Sequence, residues 1–179
     1  MVEPIAARTE CRDAACEEGV GGGSDPATAA RRAWMAVFAK APAARLRALA
    51  EAYLATLDPA SEPRFRWLRA PETGLVMVRA RMGGSGAPFN MGEMTATRCT
   101  VALEGATITG HATVAGRDGQ HAALAAKLDA LMQHAEHEAA LRRAVVEPLQ
   151  AEAETRRETR RRKVGATKVD FFTLVRGED

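Results

Sequence analysis

A change of hydrophobic period limits what this chain can fold into more than any other feature. Across residues 64–114 apolar and polar residues alternate, whereas on both sides apolar residues recur every three or four positions. Period two belongs to strands and period 3.6 to helices, so a sheet set between helical segments is expected. Residues 75–82 would place Val76, Val78, Ala80 and Met82 on one strand face and Arg79 and Arg81 on the other. Residues 95–103 would place Cys99, Val101 and Leu103 opposite Arg98 and Thr100, and residues 107–114 continue as the next strand. A short strand at residues 64–67 precedes them. Residues 70–74 read as a turn, Gly83, Gly84 and Gly86 as a second turn closed by Pro88, and Glu104-Gly105 as a third. Parallel pairing needs crossovers of about a dozen residues or more, which these links lack. The expectation is therefore an α+β fold: a four-stranded antiparallel meander, flanked by N-terminal and C-terminal helices, with an extended C-terminal tail.

Asp25-Pro26 is a helix start, with Trp34, Met35, Phe38 and Ala41 as its buried side. Pro42 restarts a second helix whose stripe is Leu46, Leu49, Tyr53 and Leu57, and Asp58-Pro59 ends it. Gly116-Arg117-Asp118 opens a third helical segment, residues 122–150, with Asp118 as cap, a stripe of Leu124, Leu128, Leu131, Met132 and Ala135, and Pro148 bending or ending it. Residues 151–163 are polar all round and carry Arg156, Arg157, Arg160, Arg161, Arg162 and Lys163. A helix without an apolar stripe needs a partner surface or it frays. Residues 168–176 are apolar and extended in character and should dock, as an edge strand or on another protein. Residues 1–24 read as a flexible extension, and 25–179 as a single domain whose docking segment spans about 151–179.

With 46% hydrophobic residues among 179 and no apolar run near the roughly 20 residues of a membrane span, the expected compartment is the cytoplasm. Cys11, Cys16 and Cys99 fall at no framework spacing and are expected to be reduced. Charge is uneven, acidic near the start and strongly basic across residues 142–168. His134 and His137 lack a third ligand at zinc spacing, so no metal is assigned. Neither Ser61 nor Ser85 lies in a nucleophile elbow, the glycine turn lacks the Lys-Ser or Lys-Thr of a phosphate loop, and no catalytic residue is assigned. The basic segment 156–163 lacks interleaved aromatics, which disfavours nucleic acid. What remains is a set around tight turns: Arg79, Arg81, Gly83, Gly84, Gly86, Arg98, Gly116, Arg117, Asp118 and His121. The set reads either as an anion-binding or interface cluster, or as solvated sheet-face arginines beside turns that need glycine for their backbone.

Three stretches carry a more specific signal: Arg69-Ala70-Pro71-Glu72-Thr73-Gly74-Leu75-Val76, then Arg79-Ala80-Arg81-Met82-Gly83-Gly84-Ser85-Gly86, then Gly92-Glu93-Met94-Thr95-Ala96-Thr97-Arg98. With Trp34-Met35-Ala36-Val37, Val114-Ala115-Gly116-Arg117-Asp118, His121-Ala122, Asp129-Ala130-Leu131-Met132 and the ending Lys168-Val169-Asp170-Phe171-Phe172-Thr173-Leu174-Val175-Arg176-Gly177, they resemble the PhnG subunit family of the bacterial carbon–phosphorus lyase system. The resemblance implies a role in phosphonate use, in a hetero-oligomeric core complex with PhnH, PhnI and PhnJ subunits and with PhnL associated. It implies that this assembly displaces adenine from ATP by an alkylphosphonate, giving a ribose that bears the phosphonate at its anomeric carbon and a triphosphate at its other end. The iron–sulfur cluster and SAM would belong to the PhnJ partner, and this chain would hold no cofactor. It would act as an accessory subunit, docking through Lys168, Val169, Asp170, Phe171, Phe172, Val175 and Arg176. The alternatives are a direct contribution of the arginine cluster to phosphate or phosphonate binding, or a basic nucleic-acid-binding module on residues 156–163. Residues 2–24 and 156–163 fall outside the resemblance.

Overall fold

The computed structural model describes residues 25–59 and 62–167. The extension 1–24 and the docking residues 168–176 lie outside the described residues. Two N-terminal helices, α1 (Pro26–Lys40) and α2 (Ala43–Leu54), precede the strands β1 (Phe65–Arg81), β2 (Pro88–Leu103) and β3 (Thr109–Ala115). Then follow α3 (Gly119–Met132), α4 (Ala135–Leu141), a π-helical turn (Arg142–Val146) and α5 (Glu147–Ala166). The class is α+β, but among the described residues the sheet has three antiparallel strands in the order β1-β2-β3, not four. The difference lies at residues 70–74. Their Pro and Gly read as a turn, yet the chain runs straight through them as one 17-residue strand. β1 is an edge strand, so the N–H that Pro71 lacks need not face a partner, and the extra residues are absorbed as register shifts between Trp67 and Arg69 and between Arg69 and Glu72. Pro88 closes the turn as expected, but it is also the first residue of β2, opposite Arg81, so that strand starts well before the expected residues 95–103.

Helix α3 is the centre of the fold. Ala122, Ala125, Ala126, Leu128, Ala130, Leu131 and Met132 are all buried, so it is apolar on nearly every side rather than striped. It lies on the sheet face formed by Cys99, Val101 and Leu103 of β2 with Ala112 and Val114 of β3, and α1 and α2 pack against it from elsewhere. Small residues let it approach closely. A Cβ on Gly110 would run into the Ala126 carbonyl oxygen and stand 2.7 Å from the Ala130 nitrogen, so only glycine fits beneath the helix there. Phe65 and Trp67 extend the same sheet face, with the Lys127 ammonium 5.6 Å from each ring centroid.

The helix boundaries follow local chemistry. Asp118 caps α3, its Oδ1 accepting from the His121 N–H at 2.9 Å. Asp25 occupies the corresponding place before α1, but its side chain makes no cap hydrogen bond; its carbonyl accepts from Ala29. The expected single segment 122–150 breaks at Gln133 and His134 and restarts as α4. Before Pro148 the ladder widens, the Glu147 N–H donating to the Arg142 carbonyl, so that the proline enters α5 in its first turn, where its missing N–H costs no ladder bond. Leu149 anchors the start of α5. Its polar remainder stays helical to Ala166 and carries pairs three or four residues apart: Glu152 with Arg156, Glu154 with Arg157, and Glu158 with Arg161 and Arg162. Each such pair is worth only about 0.3–0.5 kcal/mol.

Candidate interaction surfaces

β3 covers β2 only as far as the Ala96–Ala115 rung. Beyond it, among the described residues, β1 and β2 continue alone, as a two-stranded arm from Leu75 opposite Thr95 to Arg81 opposite Pro88. Cross-strand partners share a face, so Leu75, Met77, Arg79 and Arg81 lie on the side that α3 covers lower down, while Val76, Val78 and Ala80, with Met94 and Phe89, lie on the other. Met91 has no rung of its own; it is the extra residue of a bulge between the Val78–Gly92 and Arg79–Asn90 pairs. The tip is closed by the turn Met82–Gly84. Gly83 has φ +61°, the Gly86 N–H donates to the Met82 carbonyl at 3.0 Å, and Arg81 Nη1 donates to the Gly86 carbonyl at 3.1 Å. A Cβ on Gly86 would stand 2.7 Å from the Met82 oxygen, so this turn itself requires its glycines.

The four arginines singled out by sequence do not converge. Arg98 pairs with Glu72 on the sheet face away from α3, whereas Arg79 is seven residues farther along β1 and on the opposite face. At about 3.3 Å per strand residue that separation is on the order of 20 Å. Arg117 is exposed in the β3–α3 connection, after Gly116, whose φ is +94° and whose N–H donates to Thr95 O. His121 is buried, and its Nε2 donates to the Phe38 carbonyl at 2.8 Å, tying α3 to α1. Arg98 does have cationic company. On the same open face the rungs place Arg69 beside Thr100 and His111, and Arg66 beside Ala102 and Thr109. Glu72, 3.9 Å from Arg69, is the acid in this array, and His111 Nδ1 lies 3.2 Å from Thr100 Oγ1.

One polar residue with a large structural role was missed from sequence. Asp129, fully buried on α3, accepts from Arg31 Nε (3.2 Å) and Trp34 Nε1 (2.9 Å) at Oδ1, and from Arg31 Nη2 (2.7 Å), the His111 N–H (2.9 Å) and Gln133 Nε2 (3.5 Å) at Oδ2. The carboxylate thus joins α1, α3 and β3. The signal in the sequence was an aspartate inside an otherwise apolar helix, with an arginine and an indole N–H three residues apart on α1. At the far end of α3, Tyr53 Oη meets His137 Nδ1 at 2.9 Å, beside His134. Burial, and then the neighbouring His134, push the His137 pKa down, with Glu136 acting the other way; burial also raises the Tyr53 phenol. Burial raises the Cys99 thiol against the opposing charge of Lys127, which keeps it an unreactive core group. Among the described residues no cluster of three or more His, Cys, Asp or Glu side chains could hold a metal ion, and no helix is long and apolar enough to cross a membrane.

Comparison with known proteins decides the family. The description "Phosphonate metabolism protein PhnG" matches residues 29–177. The chain belongs to the PhnG family. It is 44% identical over 139 residues to the alpha-D-ribose 1-methylphosphonate 5-triphosphate synthase subunit PhnG of Rhizobium meliloti (strain 1021), an alignment that covers 75% of this chain and 88% of the relative. The match takes in α1 from Ala29 onward, the whole arm and the Asp129 hub, so every surface described above lies within the PhnG portion.

Proposed function

We propose that this PhnG-family chain is an accessory subunit of an alpha-D-ribose 1-methylphosphonate 5-triphosphate synthase in phosphonate catabolism. The observation that carries the reading is the 44% identity to a synthase subunit across nearly all of that subunit's length. Identity of that extent over 88% of the relative supports carrying its subunit role over to this chain. The assembly would be a cytoplasmic hetero-oligomer with PhnI, PhnH and PhnJ partners and PhnL associated, using ATP as substrate, with the iron–sulfur cluster and SAM on a partner. The described side chains fit a supporting role: the buried polar groups tie elements together, and the outward surfaces are an apolar arm and a cationic sheet face. The test is to purify the full chain with those partners and assay adenine release from ATP in the presence of methylphosphonate. One stoichiometric assembly whose turnover depends on this chain is expected. An assembly that forms and turns over equally well without it would overturn the proposal.

A second reading gives the arginines direct contact with phosphate or phosphonate. The feature that favours it is the open sheet face, where Arg66, Arg69 and Arg98 stand beside Thr100 and His111. Alanine at Arg98 would then lower turnover by about a hundredfold or more in a fully formed complex, as removal of one preorganised charge-stabilising group does elsewhere. Unchanged turnover at Arg98, and likewise at Arg79, Arg81 and Arg117, would sink this reading.

A further inference from the structure

We infer that the β1–β2 arm is enclosed on both faces by another subunit of the synthase, in an apolar cleft whose far end carries carboxylates. This rests on the subunit reading above and names the surface through which it acts. The arm has a feature that the rest of the described residues lack. Six of the nine large apolar side chains exposed among the described residues lie on it: Leu75, Met77, Met82, Phe89, Met91 and Met94, with Met82 75% and Leu75 65% exposed. Apolar exposure concentrated this way marks an interaction surface rather than scatter.

The exposure is on both sides. Leu75 and Met77 lie on one face and Phe89 and Met94 on the other, and among the described residues no third strand pairs beyond the Ala96 rung and these side chains stay exposed. A two-stranded ribbon alone in water is marginally stable at best, so this one needs covering. Nothing in the arm serves the chain's own core, whose buried members begin at Ala96 on this strand. Four of the six exposed side chains are methionines, which adapt to an irregular partner surface.

Charge selects the occupant. The arm carries Arg79 and Arg81 near its tip and a single acid, Glu93, opposite Met77. Among the described residues Arg79 makes no ion pair and Arg81 donates only to the Gly86 carbonyl of its own turn. Packing against the arm of a second copy would bring four guanidiniums together with two carboxylates. A partner whose cleft is apolar along its walls and acidic at its end satisfies both features.

The experiment compares the full chain with Met77→Asp, Met94→Asp and Arg79→Glu/Arg81→Glu, each co-expressed with the other synthase subunits and followed by size-exclusion chromatography with light scattering. Alongside, hydrogen-peroxide oxidation of the wild-type complex and of the free chain is read by peptide mass for Met77, Met91 and Met94. The enclosed arm predicts that each aspartate variant weakens assembly by about thirtyfold or more, as loss of a central anchor does, while its circular dichroism and melting match wild type. It also predicts that the charge reversal weakens assembly, and that all three methionines are protected in the complex but not in the free chain. Assembly retained by both aspartate variants, or lost by only one, overturns the two-faced enclosure. Unprotected methionines in an intact complex overturn it without any mutation. A wild-type chain that dimerises alone through the arm, with Met77→Asp returning it to monomer, overturns the choice of occupant. A wild-type chain that never co-elutes with the other subunits instead defeats the subunit reading.

Discussion

Replacing Asp129 by asparagine tests how much one buried carboxylate holds the fold together. The substitution keeps the shape and one acceptor oxygen, but it puts an NH2 group where the second oxygen accepted. If the amide nitrogen takes the Oδ2 position, it faces Arg31 Nη2 and the His111 N–H, donor against donor; if it is flipped, it faces Arg31 Nε and the Trp34 indole N–H. At least two hydrogen bonds are lost in either orientation. Bonds to an ionised group contribute about 1.5–3 kcal/mol each, and breaking a buried pair by changing one partner costs about 3–5 kcal/mol. Because the Arg31 side chain keeps 30% exposure, water can recover part of that loss, and about 3–4 kcal/mol is expected. For a chain of this length each kcal/mol moves the melting temperature by about 2–4 °C, so thermal unfolding followed by circular dichroism should drop by about 6–16 °C. Trp34→Phe, which removes one donor and trims the buried indole to a benzene ring, adds a cavity to the lost hydrogen bond and should cost about 1–3 kcal/mol on the same scale. A melting temperature for Asp129→Asn within about 2 °C of wild type would refute the hub.

Other regions give independent expectations. Gly110→Ala should force α3 off β3, because the new methyl meets backbone rather than a yielding side chain; a loss of about 3 kcal/mol or more in urea unfolding is expected, and a neutral result would mean that the helix sits farther away. Since burial depresses the His137 pKa, the unfolded chain binds more protons below about pH 6.5. Stability should therefore be at its full value above that pH and decline as the pH falls through the depressed folded value. Melts between pH 7.5 and 5 should show this slope reduced in His137→Gln; an equal slope in both proteins would assign it elsewhere. The outer half of α5 is held by exposed ion pairs, which 1 M salt screens to a range of about 3 Å. Amide exchange in residues 155–166 should accelerate in high salt while that of α3 stays unchanged, and an equal response of the two helices would count against the ion-pair account.

The legible parts of this protein were those written in local chemistry. The change of period placed sheet and helices, Asp118 marked the start of α3, and alternation put Arg79 and Arg81 opposite Val76 and Val78, as the rungs do. Residues 70–74 were misread because a Pro and a Gly carry the same composition in a turn and in an edge strand with bulges; only the position of β1 at the sheet edge separates the two. The arginines looked like one cluster because tight turns join their strands. Register and face, which depend on pairing between strands, hold Arg79 and Arg98 apart.

By itself the order of residues determined where helix gives way to sheet and back, the polar character of α5 and the resemblance to the PhnG family, because periodicity, caps and motifs act over a few residues at a time. Tertiary structure alone decided that Asp129 becomes a hub and that Gly110 lies beneath a helix, since both depend on partners far away in the chain. It alone decided, too, that two strands outrun the third. Where β3 stops, alternating apolar residues that would otherwise be core become the exposed faces of an arm, and burial on folding leaves them for a partner to cover.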